Sequence, residues 1–178
     1  METTTEAIQN VNIIRHILTE DGDFPNNALL PLLIYKKVLK FDTEDRGKSI
    51  EELFGSNDWS NSWQNGVYDF HHYHSITHEV LGVFRGSARI QFGGPQGIAE
   101  LLEEGDVVVI PAGVAHKAID IYDNFACVGA YPEGKDFDMN YGKPEEHERA
   151  LENIKSLPIP LTDPVYGIDG PLLTNWKQ

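Results

Sequence analysis

Hydrophobic positions first recur at helical spacing. Ile8, Val11, Ile14 and Leu18 fall three or four apart between residues 5 and 20, and Gly22 can close the run, so the pattern predicts an amphipathic helix. Leu29 to Leu39 is apolar with Val, Ile and Tyr and predicts a strand, whose start Pro31 makes an edge or an irregular entry. A charged segment, 42–48, follows. Ser49 with Glu52 three residues on forms a capping box, and Gly55 suits a terminator, so a short helix is expected over about 49–54. The pattern changes after Trp59. From about 63 to 131, short alternating stretches are broken at Asn65-Gly66, Gly86, Gly93-Gly94-Pro95 and Gly105-Asp106, which predicts a β-sandwich or barrel. A helix returns over 144–156, with Pro144 in its first turn and a narrow stripe of Ala150, Leu151 and Ile154. The tail holds Pro158, Pro160, Pro164 and Pro171 and cannot be helical throughout. With Val165, Tyr166, Leu172, Leu173 and Trp176 it is too apolar for a free linker, so it should lie extended against the body or a second subunit.

At 178 residues the chain is long enough for one domain with its own core. The expectation is a single domain over 1–178 with its barrel core at about 60–131. Lys and Arg number 14 against 28 Asp and Glu, a net charge of −14, which repels phosphate backbones and speaks against nucleic acid and anionic membranes as partners. No run of 18 apolar residues exists, and the start, Met-Glu-Thr-Thr-Thr-Glu, has neither a basic nor an apolar leader region. A soluble, cytoplasmic protein is expected. The one cysteine, Cys127, excludes an internal disulfide framework and a Cys-rich zinc module, and in the apolar stretch 125–130 it reads as a buried, inert thiol.

Candidate chemistry concentrates between Gly66 and Asp120. Four of the seven histidines, His71, His72, His74 and His78, fall close together, and Glu79 follows. If 67–74 is a strand, Phe70, His72 and His74 share one face while Val67, Asp69, His71 and Tyr73 take the other. Two adjacent imidazoles on one face are how a strand presents two ligands to one metal. Glu79 can return a carboxylate to the same point after a turn at Ser75–Thr77. His116, after the turn Pro111-Ala112-Gly113, is placed to add a fourth ligand. Three neutral imidazoles and one carboxylate suit a divalent first-row ion, and four protein ligands on an octahedral ion leave two positions open for substrate or dioxygen. Against this stands the plainer reading of hydrogen-bonded core histidines or a solvated histidine face. His71 is expected to pack on the sheet or at the surface, and Tyr73 to pack. His78 points away from Glu79 or lines a cavity rim as an acid or base. Phe70, Leu81, Val83, Ile90, Phe92, Val108 and Ile110 are candidates for barrel filling. His16 and His147 sit on the expected amphipathic helices and should be exposed. Glu103-Glu104 and Glu145-Glu146 read as solvated faces, and Gly93-Gly94 as a hairpin turn. No nucleophile elbow, phosphate-cradling loop or dinucleotide fingerprint is present.

The joint spacing resembles the cupin superfamily, whose first motif runs G-x5-H-x-H-x3–4-E-x6-G. Gly66, His72, His74, Glu79 and Gly86 fill its fixed places. The second motif, G-x5-P-x-G-x2-H-x3-N, is matched by Gly105, Pro111, Gly113 and His116, with Asp120 where Asn is expected. More narrowly the chain looks like the YjlB-like single-domain bacterial cupins, through Pro-Leu-Leu-Ile-Tyr at 31–35, His-Ser-Ile-Thr-His-Glu at 74–79 and Asp-Pro-Val-Tyr-Gly-Ile-Asp-Gly-Pro-Leu-Leu at 163–173. The resemblance implies a mainly β fold, a double-stranded β-helix jelly roll of RmlC-like type with short helices near both ends. It also implies one divalent transition-metal ion (Fe, Mn, Ni, Co, Cu or Zn) on His72, His74, Glu79 and His116. Asp120 would then orient a ligand imidazole or accept a proton, unless it is a solvent-facing turn residue. A homodimer, a small-molecule ligand in the barrel and dioxygenase- or isomerase-type chemistry on a small oxygen-rich molecule are the further expectations. The alternative is a binding or sensing cupin without turnover. A purely structural barrel is the third reading. Loops around 55–65 and 131–143 should shape the pocket.

Overall fold

The structure, a computed structural model, describes residues 6–7 and 12–177. Its strands are β1 (Glu6–Ala7), β2 (Asn12–Leu18), β3 (Asn27–Lys36), β4 (Leu39–Lys40), β5 (Trp59–Asn65), β6 (Glu79–Phe92), β7 (Ile98–Glu103), β8 (Val107–Ile110) and β9 (His116–Pro132). Helices α1 (Arg46–Ser56), α2 (Pro144–Ser156) and α3 (Pro171–Asn175) complete it. The main sheet runs β2-β3-β8-β6-β9-β5, with β7 on the far half of β6; every pairing is antiparallel. The fold is mainly β with short helices, as the motifs implied.

The central strands are buried on both faces, which is why they read as unbroken apolar runs rather than alternations. Leu32, Ile34, Leu81, Val83, Val108 and Ile110 point into the barrel. Their neighbours Leu33, Tyr35, Val80, Val107 and Val109 point outward and join a second core. That outer core is roofed by Ile50 and Phe54 of α1 and by Trp59, Leu172 and Trp176. Each such fully buried large side chain contributes roughly 1.5–3 kcal/mol. Of the expected barrel fillers only Phe70 stays outside, 38% exposed.

Four local expectations change. Residues 12–18 form β2 rather than a helix, and the rest of the expected 5–20 helix lies outside the described residues apart from β1 and the end of the run. A spacing of four, as between Ile14 and Leu18, satisfies both the helical and the two-residue period. Pairing with β3 decides it, placing both in the barrel while Ile13 packs on the outer core. Helix α1 starts at Arg46 because Asp45, not Ser49, caps it, accepting from Lys48 N–H at 3.2 Å. α2 spans the expected residues. The tail does pack on the body, but closes with the short helix α3. Trp176 Nε1–H donates to the Pro31 carbonyl (2.8 Å), and buried Asp163 accepts from Tyr35 Oη (2.5 Å) and from three backbone N–H groups. Finally, residues 67–74 are not a strand. They make only the isolated bridges His72–His116 and Tyr73–Asn140. Among the described residues no helix is long and apolar enough to cross a membrane.

Candidate metal centre

The segment before β6 leaves the sheet but is pinned on both sides. His72 and His116 exchange backbone hydrogen bonds (3.3 and 2.9 Å), as do Tyr73 and Asn140 (3.0 and 3.1 Å). Gly113 N–H donates to the His74 carbonyl at 2.8 Å, joining the second histidine of the first motif to the turn before His116. Gly113 has φ +95°, and a Cβ there would lie 2.3 Å from the Asn26 carbonyl, so the turn requires glycine. The extended pleat thus puts His72 and His74 on one side without a ladder. Tyr73 goes to the other side, buried against Phe24, Ala115 and Ala150, and His71 lies on the Phe24 ring.

Glu79 opens β6 on the same barrel-facing side as Leu81, and His116 opens β9. The donor nitrogens of His72, His74 and His116 lie within 4.8 Å of one another. Glu79 Oε2 is 3.6 Å from His74 Nε2, and its Oε1 is 3.3 Å from His116 Nε2. Ligands at about 2.0–2.2 Å from one ion lie no more than about 4.4 Å apart, so a small closure of this cluster fits a single ion. All four side chains are buried.

The ring orientations are fixed from behind. Nδ1 of His72, His74 and His116 faces the carbonyl oxygens of Phe70 (3.1 Å), Asp138 (2.6 Å) and Val114 (3.1 Å). A carbonyl only accepts, so each Nδ1 carries a proton, and Nε2 is the ring atom left to face the centre of the cluster. Burial, and then the neighbouring His116, push His72 down to about 3. Burial opposes charge on His74, yet the Glu79 carboxylate and Asp138 outweigh it and raise that ring. Burial would push Glu79 up, but His74 and His116 hold it well below the usual carboxylate range. A buried carboxylate among three imidazoles is a donor set that a divalent ion could complete.

A cavity of about 500 Å³ opens above this cluster, walled by Trp63, Tyr68, Leu81, Tyr131, Phe137 and Met139. Trp63 Nε1–H donates to Tyr131 Oη (2.8 Å), and the Tyr131 phenol lies in the field of the Glu79 carboxylate. Burial and that carboxylate push the phenol far up. Trp63 lies flat over Gly129, where a Cβ would come within 2.2 Å of the indole. The loops around 55–65 and 131–143 do shape the cavity, the first mostly as strand β5. The individual wall residues carry no sequence signal beyond a tryptophan opposite a glycine across β5 and β9. The Asp138 carboxylate, which accepts from Ser75 N–H (2.7 Å) and Asn140 Nδ2 (2.8 Å), was equally invisible to motif spacing.

Neither acid–base candidate joins the cluster. Asp120 shares parity with His116, but β9 shifts register between Ala118 and Asp120, so Asp120 faces Arg89 (3.5 Å) on the outer surface. His78 points away from Glu79, into the seam between barrel and tail. Its Nδ1 accepts from Ala112 N–H (2.9 Å), its ring lies 4.7 Å from that of Trp176, and burial pushes it down to about 4. It borders a separate cavity of about 240 Å³ with Lys135 and Pro158. Cys127 is buried, its thiol pushed far up by burial. His16 lies on a strand, 2.8 Å from Glu100, and His147 on α2 contacts Glu20.

The cupin family profile matches residues 59–132. The chain is 45% identical over 163 residues to the uncharacterised protein YjlB of Bacillus subtilis (strain 168), covering 92% of this chain and 96% of that protein. Among solved structures it is similar to acireductone dioxygenase from Bacillus anthracis with cadmium in its active centre: 15% identity, 53% of this chain and 63% of that one, TM-score 0.39. It is also similar to the 11S allergen of Cocos nucifera, at 12% identity and TM-score 0.36, covering 55% of this chain but only 26% of that longer one. With both motifs on one buried cluster and a relative matched over nearly its whole length, the chain belongs to the cupin superfamily, alongside YjlB.

Proposed function

We propose that this cupin holds one divalent transition-metal ion on His72, His74, Glu79 and His116. In this reading it acts as a dioxygenase- or isomerase-type enzyme on a small oxygen-bearing organic molecule in the cavity above. The observation that carries the reading is the convergence of three imidazoles, each oriented by a carbonyl behind its Nδ1, beside one buried carboxylate. When bound, such an ion supplies a Lewis-acid or redox centre with open positions. The chain's own residues do the rest: the carbonyls of Phe70, Asp138 and Val114 orient the ligands, and the aromatic walls limit water. Tyr131 holds its proton beside Glu79. Pairing into a homodimer belongs to the same reading, and light scattering at micromolar concentration should show twice the 20.0 kDa chain.

One observation favours the alternative of a binding or sensing protein. Among the described residues lining the cavity, no acid or base other than the four cluster side chains and the tyrosines is present. The deciding experiment is elemental analysis of the untagged protein beside His74→Ala. About one equivalent of a transition metal in the parent and its loss in the variant are expected; an empty parent that takes up no metal on reconstitution overturns the reading. Oxygen uptake by the iron-loaded protein with a panel of diols and thiols supports turnover; stoichiometric binding without product supports the sensor.

A further inference from the structure

We propose that the cavity selects flat, aromatic ligands carrying at most one negative charge, and rejects phosphorylated ones. This rests on the metal reading for where the ligand's oxygens go and for the single charge they balance; the aromatic preference and the lack of phosphate-binding groups are properties of the walls. Two aromatic pairs flank the opening. Tyr131 and Phe137 stack with ring centroids 5.2 Å apart and planes at 23°, and Tyr68 and Phe70 stack at 4.9 Å and 20°. The first pair is braced by Trp63 through its bond to Tyr131. The second reaches the cavity through Tyr68 and is half-exposed, with Phe70 also 5.9 Å from Tyr141. The exposed rings of Tyr68 and Phe137, with buried Tyr131 behind, line a cavity of about 500 Å³ and offer offset-stacked and edge contacts to a mono- or bicyclic ring system.

Charge points the same way. Among the described residues that line the cavity there is no lysine or arginine and no residue of a helix. Phosphate and polycarboxylate sites are built from such groups, so a dianionic ligand here would lose its hydration without replacement. The chain's net charge of −14 adds a repulsive field. Three imidazoles and Glu79 around a divalent ion leave about one unit of positive charge, which one ionised oxygen balances.

The test uses three probes on the zinc-loaded full chain, anaerobically: catechol (aromatic, uncharged), glycolate (a small non-aromatic chelator) and phenyl phosphate (aromatic, dianionic). Affinity is read by calorimetry and by tryptophan fluorescence. Trp63 borders the cavity, while Trp59 and Trp176 are buried in the outer core, so quenching that disappears in Trp63→Phe reports entry. Catechol should bind at least about ten-fold tighter than either other probe. Phe137→Ala, at a position 43% exposed and therefore tolerant, should weaken catechol roughly three- to ten-fold and leave glycolate unchanged. Phenyl phosphate or glycolate matching catechol, or Phe137→Ala without effect on catechol, overturns the proposal. Metal content is measured on the same samples. Zinc at full occupancy with no aromatic preference sinks the selectivity alone, whereas preference persisting in protein that takes up no metal sinks the metal reading alone.

Discussion

Asp138→Ala separates the support of His74 from the ligand itself. The Asp138 carbonyl fixes the His74 ring through Nδ1 at 2.6 Å. Its carboxylate holds that carbonyl in place, bonding Ser75 N–H at 2.7 Å, the Ser75 hydroxyl, Ile76 N–H at 3.3 Å and Asn140 Nδ2 at 2.8 Å. The Ser75 and Asn140 bonds, with burial opposing, keep this carboxyl below its ordinary value. Hydrogen bonds to a charged acceptor are worth about 1.5–3 kcal/mol each where nothing replaces them. Asp138 is only half-buried, so water recovers part of that, and a net loss of about 1–2 kcal/mol is expected. With that carbonyl no longer held in place, the His74 ring loses its fixed orientation, and weakening of such a supporting partner should lower zinc affinity by up to about 10–100-fold. Urea unfolding of the metal-free protein measures the first effect, and zinc competition against a chelator the second. Asp138→Asn keeps one acceptor oxygen for Ser75 N–H but sets a second amide against Asn140, and should fall between. An Asp138→Ala protein with unchanged urea midpoint and zinc affinity within two-fold of the parent refutes the argument.

Gly129→Ala forces the Trp63 ring off its seat, since the new Cβ would lie 2.2 Å from it. A loss of about 1–3 kcal/mol and an altered Trp63 emission are expected, checked by denaturation and fluorescence. Tyr35 is fully buried, bonded to Asp163, and its phenol is pushed far up by burial and that carboxylate. The unfolded chain sheds this proton near pH 10 while the folded one keeps it. Stability should therefore fall as pH rises above about 10, by ~1.4 kcal/mol per pH unit from this group. Tyr35→Phe should flatten that slope in alkaline denaturation while costing stability at pH 7. Asp120→Asn removes only an exposed contact to Arg89, so metal content and stability should stay within about 0.5 kcal/mol of the parent; loss of metal would show that Asp120 supports the centre after all.

What the sequence determined by itself is the part set by covalent spacing. His72 and His74 share a side because an extended chain alternates, whether or not a ladder forms, and the glycines and proline around them place the turns. The apolar runs 31–35 and 107–110 mark strands buried on both faces, and Pro144 with its stripe marks α2 to its ends. Tertiary structure decided whatever depends on partners distant in the chain. Residues 12–18 carry a spacing that suits two periods, and only the β3 edge chooses between them. A register shift in β9, set by its pairing with β6, turns Asp120 outward although counting from His116 turns it in. The cavity walls come from β5, the end of β9 and the loop after it, with a Trp63–Tyr131 hydrogen bond across β5 and β9 between residues whose spacing in the chain carries no period. Ligand spacing is local and therefore legible; the shape, charge and support of the site are sums over contacts that exist only once the sheet has closed.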